Sequence, residues 1–170
     1  MRTFLKAFAT LTIAAGEAWV LWQFVVIPYR CNNRLKKASD DLKVVLAAAG
    51  GDIRGMELAR SIAADVHNCT IENPGDVAAQ MVLAGAYRAL GRNAQAIAAY
   101  LTALQHDRRP ELYLDLGQTQ LETGDSKAAL SNLVVACIYN PQYLDEIGLY
   151  HPEVKRAVDA YQIRLMEARR

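Results

Sequence analysis

The sequence has few of the residues from which catalytic and metal sites are built. Its 170 residues include three histidines, which lie far apart, and three cysteines, which form no CxxC pair. It also lacks a phosphate-binding glycine loop and a nucleophile-elbow pattern. His106, in QHDRRP, has charged neighbours but no positioned partner, so we interpret it as a surface turn residue. The sequence therefore predicts a protein that is not an enzyme and has no catalytic, cofactor or metal site.

The chain also lacks an excess of charge of either sign. Its formal net charge is +1, which leaves no broad basic surface for a nucleic acid. The charge is unevenly distributed, because residues 1–37 hold six basic side chains against one acid, Glu17, whereas the rest is net acidic. This asymmetry indicates a basic-flanked membrane segment followed by a mildly acidic domain.

One long hydrophobic run stands near the N-terminus. Ala7–Ile27 reads AFATLTIAAGEAWVLWQFVVI, and Glu17 is its only charged residue. At about 1.5 Å per residue, this run spans about 30 Å, the thickness of the hydrocarbon layer of a bilayer. Basic residues flank both ends, and Pro28 is expected to interrupt the helix. We predict a transmembrane anchor in residues 1–30, with the lipid bilayer as a partner.

Three other interpretations of this run stay open. A cleaved signal peptide would end near Gly16 or Ala18, but the hydrophobicity continues past that point, which favours retention. A lipoprotein is disfavoured because Cys31 follows Arg30 rather than a run of small residues. A buried core helix would need a partner that the sequence does not show.

Glu17 lies near the middle of the predicted membrane helix, where an ionisable side chain is costly and usually faces protein or water. Thr10, Ala14 and Ala18 are spaced four residues apart and form a strip of small residues beside Glu17. Such strips let helices approach closely. These four residues predict a docking face for another membrane protein; the alternative is a lone anchor that tolerates a protonated glutamate.

Two stretches of the chain repeat each other at an offset of 33 residues. Met81–Asp107 and Leu114–Asn140 agree best at small and apolar positions, and glycine recurs at Gly91 and Gly124. Each glycine is expected to end a helix in the left-handed conformation, so each stretch predicts two helices joined by a tight turn. Each helix pair would present an apolar face that only another pair can cover.

These stretches resemble tetratricopeptide repeats. The matching positions of the first stretch are Leu83, Ala84, Tyr87, Gly91, Ala96, Tyr100 and Ala103. Those of the second are Tyr113, Leu116, Gly117, Gly124, Ala129, Ala136 and Pro141. The chain departs from the family pattern at Arg108, where proline is usual, and at Gln120 and Leu133, where aromatic residues are usual. The resemblance implies an all-α fold, with two repeats in residues 74–143 forming a short α-solenoid of antiparallel helix pairs.

Two repeats need cover at both ends, because three or more are usually required for stability. Pro152 is a plausible helix start, and it predicts a capping helix in residues 144–170. The apolar face of that helix consists of Val154, Ala157, Val158, Tyr161 and Leu165. Residues 31–73 predict a further helix pair, starting at Asn33 and turning at Gly50 and Gly51, which we interpret as a degenerate first repeat.

Two cysteines lie symmetrically about that turn. Cys31 precedes Gly50 by 19 residues and Cys69 follows Gly51 by 18, so an antiparallel hairpin would place them side by side at its open end. A disulfide needs Cα atoms about 5.5 Å apart and an oxidising compartment. A Cys31–Cys69 disulfide therefore predicts that the repeats face the bacterial periplasm from the inner membrane. The alternative is that the two cysteines are reduced thiols. Cys137 is expected to be a small buried residue.

Membrane sidedness is not decided by charge. The basic residues that follow Pro28 slightly favour a cytoplasmic domain, against the orientation that a disulfide implies. We give the disulfide more weight, because those basic residues also suit contact with the hairpin or with lipid headgroups.

The resemblance also implies a binding surface, because tetratricopeptide proteins use the concave face formed by the first helix of each repeat. On this chain the implied lining is Met81, Gly85, Arg88, Ala89, Leu114, Gln118, Leu121 and Glu122. Met81 and Gly85 stand where the carboxylate-clamp subgroup has lysine and asparagine. An extended or helical protein segment is therefore the expected ligand, rather than a small-molecule substrate.

The function that these observations predict is a membrane-anchored scaffold for protein–protein interaction. It would act as an assembly or accessory factor of a cell-envelope complex, such as a secretion, pilus or polysaccharide system, and its partner would itself be membrane-bound. The alternatives are a permanent structural subunit of a larger membrane complex and a regulatory partner of a membrane enzyme.

Overall fold

The computed structural model describes residues 17–22, 27–47 and 53–168, and these form helices and connecting turns without a β-strand. The all-α prediction is therefore confirmed. The predicted membrane span, residues 7–27, lies mostly outside the described part of the chain, as do Gly50 and Gly51. Among the residues described, no helix combines the length and the apolar character needed to cross a membrane.

From residue 27 onward, the described residues form eight helices. Their bounds are α1 Ile27–Ala47, α2 Ile53–Glu72, α3 Val77–Ala89, α4 Asn93–Leu104, α5 Pro110–Glu122, α6 Ser126–Tyr139, α7 Tyr143–Tyr150 and α8 Pro152–Glu167. Each helix packs against the next one in the chain, and further contacts join α1 to α3 and α6 to α8. The helices of the described residues thus pack side by side in sequence order. At the two ends, α1 also contacts α3 and α8 also contacts α6.

The two turns that the glycines predict are present. Gly91 has a φ of 69° and Gly124 a φ of 82°, a left-handed conformation that glycine adopts without steric penalty. The backbone N–H of the residue after each glycine donates to a carbonyl in the last turn of the helix. Arg92 N donates to Tyr87 O at 2.8 Å, and Asp125 N donates to Gln120 O at 3.0 Å. These bonds satisfy carbonyl groups that a helix end would otherwise leave open.

The core of the first repeat lies between α3, α4 and α5. Small residues of α4 allow close helix approach, and Tyr100 fills the space between them at 2% exposure. In the second repeat Leu133 replaces that aromatic ring and packs directly on Gly117, where an added Cβ would lie 2.8 Å from Leu133 Cγ. The position of Leu133 thus leaves no room for a side chain at residue 117.

The N-terminal helices form a hairpin that covers one end of the row. α1 begins at Ile27, six residues before the predicted start at Asn33, so Pro28 lies in its first turn, where proline is tolerated. Cys31 and Cys69 form a disulfide with a Cα separation of 5.6 Å. The disulfide prediction is therefore confirmed, and the bond joins α1 to α2 at the end where the chain enters the hairpin.

The C-terminal end is covered by α7 and α8 together. Pro152 begins α8, as its position in the sequence predicts, whereas the short helix α7 before it was not expected. Val154 and Val158 are buried against α6 and α7. Tyr161 and Leu165, farther along the same face, are each 42% exposed, so only the first half of the predicted apolar face is covered.

Candidate functional site

The predicted binding surface has a bridge of polar side chains at its centre. Arg88 of α3 donates from Nε to Glu122 Oε1 of α5 at 2.8 Å, and its Nη2 lies 2.7 Å from the same oxygen. Its Nη1 donates to Gln118 Oε1 at 3.1 Å. Three residues that the resemblance placed on one surface therefore lie in contact, and they hold the first helices of the two repeats together.

A cavity of about 320 Å³, which we call the N-terminal cavity, lies on one side of this bridge. Helices α1, α3, α4 and α5 form its walls. Its lining residues are Ser39, Leu42, Lys43, Leu46, Met81, Val82, Gly85, Arg88, Tyr100 and Asp115. The predicted residues Met81, Gly85 and Arg88 all belong to it.

A second cavity of about 160 Å³, which we call the C-terminal cavity, lies on the other side of the bridge. Its lining residues are Leu114, Gln118, Leu121, Leu133, Tyr143, Glu146, Ile147, Tyr150 and His151. The predicted residues Leu114, Gln118 and Leu121 belong to this cavity. Ala89 is half-buried and lines neither of the two, and Glu122 is exposed at the bridge.

Gly85 does not offer the open surface that the resemblance implies. A Cβ added there would lie 2.7 Å from Leu42 Cδ2, so helix α1 already covers this position. The contact depends on how the N-terminal hairpin docks on the first repeat, and the repeat pattern contains no signal for it. The predicted continuous groove is consequently divided into the two cavities.

Asp115 is a site residue that sequence reasoning missed. It is half-buried in the N-terminal cavity, and burial raises the pKa of its carboxyl group to about 6, with Arg88 lowering and Glu111 raising it. Among the described residues, no hydrogen bond or ion pair reaches this carboxylate. The one signal in the sequence was the repeat alignment, which sets Asp115 opposite Val82, an acid where the first repeat has an apolar residue.

Arg88 and Tyr100, which line the same cavity, also have raised pKa values. Burial opposes the charge of the Arg88 guanidinium, but the hydrogen bond and the charge of Glu122 outweigh that effect and raise its pKa. Burial, with a contribution from the charge of Asp115, also raises the pKa of the Tyr100 phenol above its usual range. Arg88 is therefore a fixed cation held by Glu122, and Tyr100 is a neutral wall of the cavity.

The predicted membrane docking face falls at the edge of the described residues. Thr10 and Ala14 lie outside them. Glu17 and Ala18 are exposed on the helical residues 17–22. At the end of that stretch, the Trp22 ring faces Arg30, whose Cζ lies 5.0 Å from the ring centroid.

The described residues offer no cluster of three or more side chains able to hold a metal ion. Of the histidines, His106 is exposed and lies beside Gly75, while His151 Nδ1 lies 3.2 Å from Glu153 Oε1 at the start of α8. Cys137 is buried, as expected for a small core residue.

No protein-family model, curated protein or solved structure matches this chain. What the protein does must therefore be argued from its own residues and their geometry.

Proposed function

We propose that this protein is a membrane-anchored scaffold of the tetratricopeptide-repeat type that binds a segment of another protein. The observation that carries the proposal is the pair of cavities on either side of the bridge between Arg88 and Glu122. Six of the eight residues implied by the resemblance line one cavity or the other. A surface with two neighbouring recesses suits a chain that presents successive side chains.

The two cavities are small and separate, which suits successive side chains of one protein segment. Pockets for drug-sized ligands usually measure about 300–1,000 Å³, and the larger of these cavities stands at the lower limit of that range. Each has room for one or two side chains. An extended or helical segment that lies across the bridge would place a side chain in each cavity, which is how peptide grooves obtain their specificity.

The position of the N-terminal hairpin favours a scaffold that is held close to the membrane. The predicted span ends at Ile27, the residue at which α1 begins, so the two are adjacent in the sequence. The Cys31–Cys69 disulfide ties this entry point to α2. Such a bond persists in oxidising compartments, which supports placing the repeats in the periplasm with the anchor in the bacterial inner membrane. A partner within reach of this scaffold is itself membrane-bound.

The role that fits these properties is that of an assembly or accessory factor of a cell-envelope complex, such as a secretion, pilus or polysaccharide system. A permanent structural subunit is the second candidate, and exposed apolar side chains favour it. Leu149 and Tyr150, at the end of α7, are 78% and 76% exposed. Large apolar side chains grouped in this way are typical of surfaces that another protein covers.

Site-specific photo-crosslinking in intact cells tests the scaffold proposal. A photoreactive residue is placed at Gln118, beside the bridge, and as a control at Lys127, which is exposed on α6. We expect a specific partner adduct from position 118 and none from position 127. Equal labelling from both positions, or no adduct from either, would contradict a binding surface at the bridge.

The yield of the partner on purification separates the two candidate roles. A permanent subunit is expected to co-purify with its complex in fixed stoichiometry after detergent extraction. An assembly factor is expected to be substoichiometric or lost. Quantitative mass spectrometry of the purified complex measures this ratio directly.

A further inference from the structure

The N-terminal cavity contains a negative charge that the fold does not neutralise. Asp115 projects from α5 among side chains of α1, α3 and α4, and its carboxylate has no hydrogen bond or ion pair with any described residue. Arg88, which lines the same cavity, directs its guanidinium to Glu122 and Gln118. A half-buried carboxylate in this position lacks both full hydration and a partner.

The charged side chains that line the cavity are Lys43, Arg88 and Asp115. Arg88 is paired with Glu122, and Lys43, at the rim, is paired with Asp40 at 3.1 Å. Asp115 makes no hydrogen bond or ion pair with a cation among the described residues, although the charge of Arg88 acts on it, and Glu111, one helical turn before it, adds a second negative charge. The cavity therefore favours a positively charged group.

Lys43, the lysine that lines the cavity, does not pair with Asp115. The side chain of Lys43 is 75% exposed and turns to Asp40 on its own helix. The space next to Asp115 is instead bounded by apolar side chains, with Leu42 on α1, Met81 on α3 and the Tyr100 ring on α4. Apolar walls that lead to a single carboxylate suit a ligand with an alkyl stem and a cationic end.

We propose that the N-terminal cavity binds an alkyl chain that ends in a cation, the chemistry of a lysine or arginine side chain, and that Asp115 pairs with the cation. The inference rests on the proposed scaffold function for the source of this group, which is a basic side chain of the bound protein segment. Leu42, Met81 and Tyr100 contact the stem, and Arg88 stays paired with Glu122. A free alkylamine has the same chemistry and is the other possible source.

The pKa of Asp115 agrees with this assignment. Burial raises it to about 6 in the empty cavity, so an arriving cation binds best to the charged form, and binding lowers the pKa. Affinity is thus expected to rise with pH through about 6. The other charged or titratable groups that line the cavity are Lys43, Arg88 and Tyr100, and Glu111 acts on Asp115 from the same helix.

Methyl NMR of the full chain in a non-ionic detergent tests the proposal. The sequence has four methionines, of which Met81 lines the cavity and Met166 is exposed on α8, so the two methyl groups serve as reporter and internal control. The probes are n-butylammonium and n-propylguanidinium at constant ionic strength, with n-butanol as the neutral analogue. We expect a saturable shift of the Met81 methyl signal with both cations, little shift with butanol, and no shift at Met166.

Two matched variants assign the effect to the carboxylate. Asp115→Asn is expected to weaken n-butylammonium binding by about tenfold or more, because a charge-assisted contact is lost. Asp159→Asn, an exposed position on α8, is expected to leave binding unchanged. The methyl spectrum of Asp115→Asn without ligand shows whether that variant is folded. Equal binding of butanol and butylammonium, or undiminished binding by folded Asp115→Asn, would overturn the proposal.

Crosslinking from Gln118 separates this inference from the function on which it rests. A partner adduct at Gln118 without cation binding at Met81 would overturn the inference and leave the scaffold standing. Cation binding without a protein adduct would support the cavity and assign it to a free alkylamine, against the scaffold. Where both occur, Asp115→Asn is expected to reduce the adduct yield.

Discussion

Asn132 Nδ2 donates a hydrogen bond of 2.7 Å to Gln120 Oε1, joining α6 to α5 inside the second repeat. Gln120 is buried at this position, where the first repeat has Tyr87, and Asn132 stands opposite Ala99 in the repeat alignment. The two repeats thus fill the same space in different ways, one with an aromatic ring beside alanine and the other with a pair of amides. The departure at Gln120 from the tetratricopeptide pattern is compensated by its partner.

We predict that Gln120→Ala lowers the free energy of unfolding by about 1–3 kcal/mol, because it leaves the Asn132 amide without its partner and opens a cavity. The double change Gln120→Tyr with Asn132→Ala, which installs the pair of the first repeat, is expected to recover much of that loss. Urea unfolding followed by circular dichroism measures both. Gln95→Ala, at an exposed position of α4, is the control and is expected to change little. A double variant no more stable than Gln120→Ala would show that the two positions do not compensate.

The disulfide is expected to stabilise the N-terminal hairpin. Cys31 and Cys69 are separated by 38 residues, and closing a loop of this length in the unfolded chain contributes about 2–4 kcal/mol. Replacing both cysteines by serine is expected to lower stability by this amount and to remove any further effect of a reductant. Non-reducing peptide mass spectrometry of protein purified from its native cells checks the bond itself. Absence of the crosslinked peptide there would remove the argument for an oxidising compartment.

Arg88 and Glu122 are expected to behave as a pair. Reversing either charge alone should lower stability by about 1 kcal/mol, because the pair is partly buried and solvent screens it only in part. It should also weaken partner adducts at Gln118. Exchanging the two, Arg88→Glu with Glu122→Arg, is expected to restore much of the stability. The coupling energy from the four unfolding measurements tests the bridge. A coupling energy near zero would show that the Arg88–Glu122 contact does not contribute to stability.

Asp115 is expected to make the folded chain less stable as pH rises from about 4 to about 6. Its pKa is near 6 in the fold, where burial raises it, and near 3.8 in the unfolded chain, so the folded state binds more protons in this interval. The free energy of unfolding is expected to fall by at most about 2–3 kcal/mol over this interval. Comparing Asp115→Asn with the unaltered chain over this range isolates the effect, since the asparagine does not titrate. Parallel stability curves for the two proteins would exclude a raised pKa, and Asp159→Asn serves as the control.

Much of the helical arrangement could be predicted from local patterns. The glycines at 91 and 124 and the apolar spacing of α3 to α6 identify two helix pairs, because turn conformation and helical periodicity depend on neighbouring residues alone. The disulfide was also predictable, since equal spacing of Cys31 and Cys69 about a turn brings them together in any antiparallel hairpin. The short helix α7 was not expected, because eight residues contain too little periodicity to identify a helix.

The site was predictable only in part. The repeat pattern places Arg88 and Gln118 on the first helices of the two repeats, and the structure brings them into contact. It did not indicate that Leu42 covers Gly85, because that contact depends on how the N-terminal hairpin docks on the first repeat. Nor did it single out Asp115, since an acid on an amphipathic helix looks the same in sequence whether it faces water or a cavity.

The sequence by itself thus determined the helix pairs, their turns and the disulfide, all of which follow from short-range spacing. Only the tertiary structure decided that the predicted groove is two cavities and that an unpaired carboxylate stands in one of them. The physical reason is that burial and electrostatic environment depend on which helices come together in space. For Asp115, that packing converts an ordinary surface residue into the candidate partner of a cation.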